Sequence, residues 1–107
     1  KIGYFMNIIV DLCIIPIGKG TSLSSYIAEC GDVIEKSGLS YQLGPNGTAI
    51  EGEWDDVFNV IRKCHDKLHN LGVNRIHTSL KIGSRIDRSQ TIEDKISSVR
   101  SLRERND

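Results

Sequence analysis

Glu51, Glu53, Asp55 and Asp56 crowd around Trp54 in the stretch Thr48-Ala-Ile-Glu-Gly-Glu-Trp-Asp-Asp-Val-Phe58. Carboxylates beside an indole plate suit a flat ligand that is cationic or carries an amine, because stacking, charge and hydrogen bonding can act on it together. The same Trp also opens an apolar series at helical spacing: Trp54, Val57, Phe58, Ile61, Cys64, Leu68 and Leu71. That pattern alone places it in a core rather than on a binding surface. Other chemistry is available in smaller pieces. Glu51 or Asp87 with His77 could move a proton, and Cys13 could act as a nucleophile. Against this, a histidine in a half-polar strand is ordinarily a surface or interface group, and a thiol in an apolar strand is ordinarily inert. Cys64, His65 and His69 give a metal site as a minor option: His65 and His69 lie one helical turn apart and could share an ion, yet no Glu follows His65 as in the zinc hydrolase motif and Cys64 belongs to the apolar series, so no metal ligands are assigned.

These residues need elements to hold them. Asn7 to Ile17 is dominated by Ile, Val, Leu and Cys, too continuous for an exposed strand and too β-branched for a comfortable helix, and so reads as a central strand. Within it Asp11 is the oddity: a buried carboxylate there requires a partner, and Lys81 on the last strand is the expected one. Gly18-Lys-Gly-Thr-Ser22 is a turn from which Thr21 or Ser22 would cap a helix whose buried stripe is Leu23, Ile27, Cys30 and Ile34. It lacks the third glycine of a dinucleotide loop and the Gly-Lys-Ser/Thr ending of a phosphate loop. Ser40 to Leu43 and the strand from Thr48 form a hairpin about Gly44-Pro-Asn-Gly47, with Gly52 expected to supply a sharp exit into a helix from about Glu53 to Leu71. Val73 to Asp87 alternates apolar and polar residues as a half-polar strand. Thr91-Ile-Glu-Asp94 fits a capping box for a last helix with the apolar side Ile92, Ile96, Val99 and Leu102.

At 107 residues the chain reads as one domain, residues 1–107. Its 14 basic and 14 acidic residues cancel without a basic face, which removes the electrostatic footprint of a nucleic-acid binder. Three widely spread cysteines without CxxC spacing point to a reducing compartment, hence the cytoplasm, and to neither a disulfide framework nor a zinc ribbon. The apolar opening from Ile2 to Ile17 is interrupted by Asp11 and ends in a turn, so neither a signal segment nor a membrane association is expected.

The order strand, helix, strand, strand, helix, strand, helix is the split β-α-β plan of a ferredoxin-like α+β sandwich with an added C-terminal helix. It puts Val10, Leu12, Ile14, Ile50, Leu80 and Ile82 under the helices and leaves Asp11, Cys13, Ala49, Glu51, His77, Ser79 and Lys81 on an open face. Such a face is either solvated or closed by another subunit with a ligand between.

Several segments together resemble the family of small thiamine-binding proteins: Asp11-Leu-Cys-Ile-Ile-Pro-Ile-Gly18, Ser22-Leu-Ser-Ser-Tyr-Ile-Ala-Glu29, Ser37-Gly-Leu-Ser-Tyr41, Gly47-Thr-Ala-Ile-Glu-Gly-Glu-Trp-Asp55 and Lys81-Ile-Gly-Ser-Arg-Ile-Asp87. The likeness covers nearly the whole chain and is most specific from Thr48 to Asp55; Gly83-Ser84 departs from the more acidic or polar pair often found there. It implies the ferredoxin-like fold, assembly into homodimers or homotetramers, and binding of thiamine or its hydroxymethylpyrimidine half without catalysis and without a required cofactor. The candidate ligand residues are then Trp54 for stacking, Glu51 and Asp11 for the aminopyrimidine or the thiazolium charge, Thr48 and Ser22 as neutral hydrogen-bonding groups, and Lys81. An enzyme acting on a thiamine-related molecule is the alternative.

Overall fold

The computed structural model describes residues 5–88 and 90–106, with side chains described through Glu104. The start of the apolar opening at Ile2 and the terminal Asp107 lie outside the described residues. Seven elements follow in order: β1 Asn7–Ile17, α1 Ser24–Lys36, β2 Ser40–Leu43, β3 Thr48–Glu53, α2 Trp54–Asn70, β4 Arg75–Ser84 and α3 Ile92–Asn106. The strands form one antiparallel sheet in the order β2-β3-β1-β4, the ferredoxin-like arrangement, so the most apolar strand is flanked on both sides. Its even positions Ile8, Val10 and Leu12 are buried with Ile50 of β3 beneath α1 and α2. Each such side chain, taken out of water, contributes about 1.5–3 kcal/mol before chain entropy is set against it.

The core helix α2 has clear local causes. Val57, Val60, Ile61, Cys64 and Leu68 recur at helical spacing and are all buried. Glu53 caps the helix from an extended conformation, its carboxylate accepting from the Asp55 amide at 3.0 and 3.2 Å, with Asp55 and Asp56 in the first turn where the dipole favours them. At the other end Gly72, at φ +94°, allows the Gly72 and Val73 amides to donate back to the His69 and Leu68 carbonyls. Leu68 and Val73 are both buried, so the helix stop is also a core contact.

Several expectations are corrected. The β3 strand continues through Gly52 and Glu53, paired with Ile8 and Asn7, so Gly52 is not the exit. Its role is close approach: a Cβ there would stand 3.1 Å from Leu39 and 3.2 Å from Val57. Neither Thr21 nor Ser22 caps α1, because Leu23 occupies the cap position and makes no side-chain cap. The buried stripe of α1 is Cys30 and Ile34 backed by Tyr26 and Val33, while Ile27 is 51 % exposed, so the inward face runs through Tyr26 rather than Ile27. Trp54 is 39 % exposed and outside the core, and Leu71 is also exposed. Ile82 lies on the helix face in register with Val10, yet is exposed because β4 is an edge strand.

Candidate functional site

The open face of the sheet collects Ile9, Asp11, Cys13 and Ile15 from β1, Ala49 and Glu51 from β3, and His77, Ser79 and Lys81 from β4. Alternation along each strand and the register across them put these side chains together. Asp11 is the Cα partner of Ala49 on one side and Lys81 on the other, and Glu51 is the partner of Ile9. Asp11 and Glu51 are therefore diagonal neighbours on adjacent strands, a spacing of about 7–8 Å that one small heterocycle can bridge. Asp11 and Lys81 are neighbours as expected, but both are exposed and form no ion pair among the described residues. The strand alternation turns Asp11 to water, so it is not a buried charge in need of a counter-ion. Its carboxylate instead comes close to the hairpin: a Cβ on Gly47 would stand 2.9 Å from Asp11 Oδ1 and 2.9 Å from the Leu12 carbonyl.

Of the six candidate residues the structure thus gathers three, Asp11, Glu51 and Lys81. Thr48 pairs with Leu12 and so belongs to the helix face, where it lines a groove of about 270 Å³ with Tyr26, Ile27, Leu43 and Pro45. Ser22 is exposed in the turn before α1. Trp54 opens α2, its ring 4.9 Å from that of Phe58 and tilted by 33°, and its amide donates to the Met6 carbonyl. Cys13 and His77 share the open face on neighbouring strands, Cys13 opposite Ser79 and His77 opposite Ile15. The His65 and His69 rings lie 6.2 Å apart, but Cys64 does not join them: Cys64 faces the Cys30 carbonyl at 3.8 Å, His65 Nε2 meets Thr78 Oγ1 at 2.6 Å, and His69 Nδ1 meets the Val73 carbonyl at 2.7 Å.

One end of the open face carries a second layer that strand alternation does not announce. The α3 helix turns back over it, and the Lys95 amine lies 3.4 Å from where a Cβ on Gly83 would be. The capping box that starts α3 is formed, Thr91 Oγ1 accepting from the Asp94 amide and Asp94 Oδ2 from the Thr91 amide, each at 3.0 Å. Between α3, β4 and the segment before β1 runs a groove of about 700 Å³ whose polar lining is Asn7, Ser84, Arg85, Arg88, Gln90 and Lys95, joined by apolar residues that include Phe5, Met6 and Ile9. Arg85 clamps Asp87 through two hydrogen bonds of 2.6 and 2.5 Å, which hold the Asp87 carboxyl down to about 2. The charged exit Arg85-x-Asp87-Arg88 is visible in the sequence; that Lys95 comes to meet it is not.

Comparison with known proteins gives a consistent result. The sequence pattern of a family described as thiamine-binding protein matches residues 10–100. The UPF0045 protein sll0230 of Synechocystis is 46 % identical over 94 residues, spanning 88 % of this chain and 78 % of that protein. The UPF0045 protein YqgV of Bacillus subtilis is 41 % identical over 96 residues, spanning 85 % and 92 %. Among solved structures, MJ1052 of Methanocaldococcus jannaschii superposes with a TM-score of 0.81 at 33 % identity, covering 87 % of this chain and 95 % of the other.

Proposed function

The chain belongs to the family of thiamine-binding proteins, and from that premise we propose that it binds thiamine or a related aminopyrimidine, without turning it over, as a carrier or sensor within a homo-oligomer. The observation that supports this reading most directly is the pair Asp11 and Glu51. They are two carboxylates on one open face, set diagonally across β1 and β3, with no ion-pair partner among the described residues. Around them lie Ile9, Cys13 and Ala49, a floor small and apolar enough for a flat ring to rest on. A carboxylate accepts from the exocyclic amine of an aminopyrimidine and attracts a thiazolium, and the attraction grows when a second subunit excludes water from the face. Lys81, exposed at the same level, would orient the neutral or anionic part of the ligand.

Titration calorimetry of the full chain with thiamine and hydroxymethylpyrimidine tests the reading. Saturable binding of both is expected, with Glu51→Gln weakening the cation more than the neutral pyrimidine. No heat from either ligand at millimolar concentration would end it, and release of a cleaved or modified product would replace it with the enzyme alternative.

A further inference from the structure

The groove beside α3 is chemically unlike the open face it adjoins. Three cations line it, Arg85, Arg88 and Lys95, and only Arg85 has an ion-pair partner among the described residues. With Asp87 counted against them the groove keeps a surplus of about two positive charges, that of a phosphate dianion. Neutral donors are present too, in the Ser84 hydroxyl and the Asn7 and Gln90 amides. At about 700 Å³ it is roomier than a single inorganic phosphate requires.

Its position gives the charge a meaning. Glu51, Ile9 and Gly83 are successive partners across β3, β1 and β4, so all three lie in one row on the open face. Adjacent strands stand about 4.8 Å apart, which sets the Glu51 position about 10 Å from Gly83, where the Lys95 amine closes the groove. Negative charge thus stands at one end of a short row and positive charge at the other. A complementary molecule is dipolar in the opposite sense, a cationic heterocycle joined by a short chain to phosphate.

We propose that the groove lined by Arg88 and Lys95 holds the phosphate groups of a ligand whose heterocycle lies on Glu51 and Asp11. The preferred ligand is therefore a phosphate ester of thiamine rather than free thiamine. This deepens the reading above and rests on it. The test is calorimetric titration of the full chain with thiamine, thiamine diphosphate and inorganic pyrophosphate. Thiamine diphosphate should bind about tenfold or more tightly than thiamine, the gain of one or two charge-assisted contacts, and the preference should shrink as salt rises. In the double variant Arg88→Ala, Lys95→Ala the ratio of the two affinities should fall toward one, while Lys95→Arg should retain it. Both positions are exposed, so circular dichroism should show the fold kept. Equal affinity for thiamine and its diphosphate, or a preference that survives the double variant, overturns the proposal and leaves the thiamine reading standing. Pyrophosphate binding as tightly as thiamine diphosphate overturns it as well, because the groove would then be a general anion site. If neither thiamine nor its diphosphate binds, both readings fall.

Discussion

Trp54 shows what a side chain's address can and cannot tell. Helical spacing enrols it in the apolar series of α2, yet it is the first residue of the helix and stays outside the core, its ring against Phe58 and 39 % exposed. An exposed ring gives little to the core. Trp54→Leu should therefore keep the melting temperature within a few degrees. If the open ring meets the ligand cation, the same change weakens thiamine by roughly 0.5–2 kcal/mol, and saturable quenching of the single Trp reports binding in the parent. A Trp54→Leu protein that binds thiamine like the parent would place the ring outside the site. His65 carries a different prediction. Its half-buried ring bonds to Thr78, and burial, then the charge of His69, lowers its affinity for a proton below the ordinary 6.5, against a smaller pull from Asp66. A base whose folded value is depressed binds more protons when unfolded, so its contribution is complete above about pH 6.5 and is lost as pH falls through the folded value. Melting temperature should drop on acidification from pH 7 to 5, and His65→Gln should flatten that part of the profile. An unchanged profile in the variant would assign the acid sensitivity to other groups.

At the level of elements the sequence was legible wherever one period ruled. The β1 and β2 bounds, the hairpin about Gly44 and Gly47, the helix stop at Gly72 and the Thr91 capping box all have one-residue chemical causes, and all are present. Legibility failed where two causes compete. Gly52 offered a bend by its type but serves as space for Leu39 and Val57, a contact between residues distant in sequence that no local pattern encodes. Asp11, Glu51 and Lys81 could be gathered because strand alternation and strand order suffice for them. Thr48 and Glu51, three residues apart, necessarily part to opposite faces, and Ser22 depends on a loop path rather than a period. Of the groove cations, Arg85 and Arg88 stand in the charged exit, but the meeting with Lys95 was out of reach because Lys95 arrives through the packing of α3, whose apolar side is weakly held. That helix gives the third prediction: Thr91→Ala removes the cap at a cost of about 1 kcal/mol, so amide exchange should quicken in α3 and leave α2 unaffected. Uniform loss of protection throughout the chain would show α3 to be part of the cooperative core.

On the scale of the whole molecule, much apolar surface of the described residues is exposed. Val99 and Leu102 of α3 are 58 % and 55 % exposed, Tyr41 and Leu43 are exposed on the edge strand β2, and Ile15 and Ile17 are exposed on the open face. Surface of this kind, together with an unpaired sheet edge, is what self-association covers. Light scattering at micromolar concentration should return two or four times the chain mass of 11.9 kDa; a single chain mass would leave the open face to solvent and remove subunit closure from the binding argument. Inside, the pairing of Cys64 with Cys30 where α2 meets α1 gives the molecule a clock. Contact with Cys30 and burial push the Cys64 thiol well above its ordinary range, and both sulfurs are shut away from solvent, whereas Cys13 is half-exposed. A thiol reagent should then modify one cysteine promptly and the other two together, at the slower pace with which α1 lifts from α2. Ligand bound to the sheet should lengthen that second interval only if it steadies the core as a whole, so the kinetics of two sulfur atoms would time the parting of the helices from the far side of the sheet.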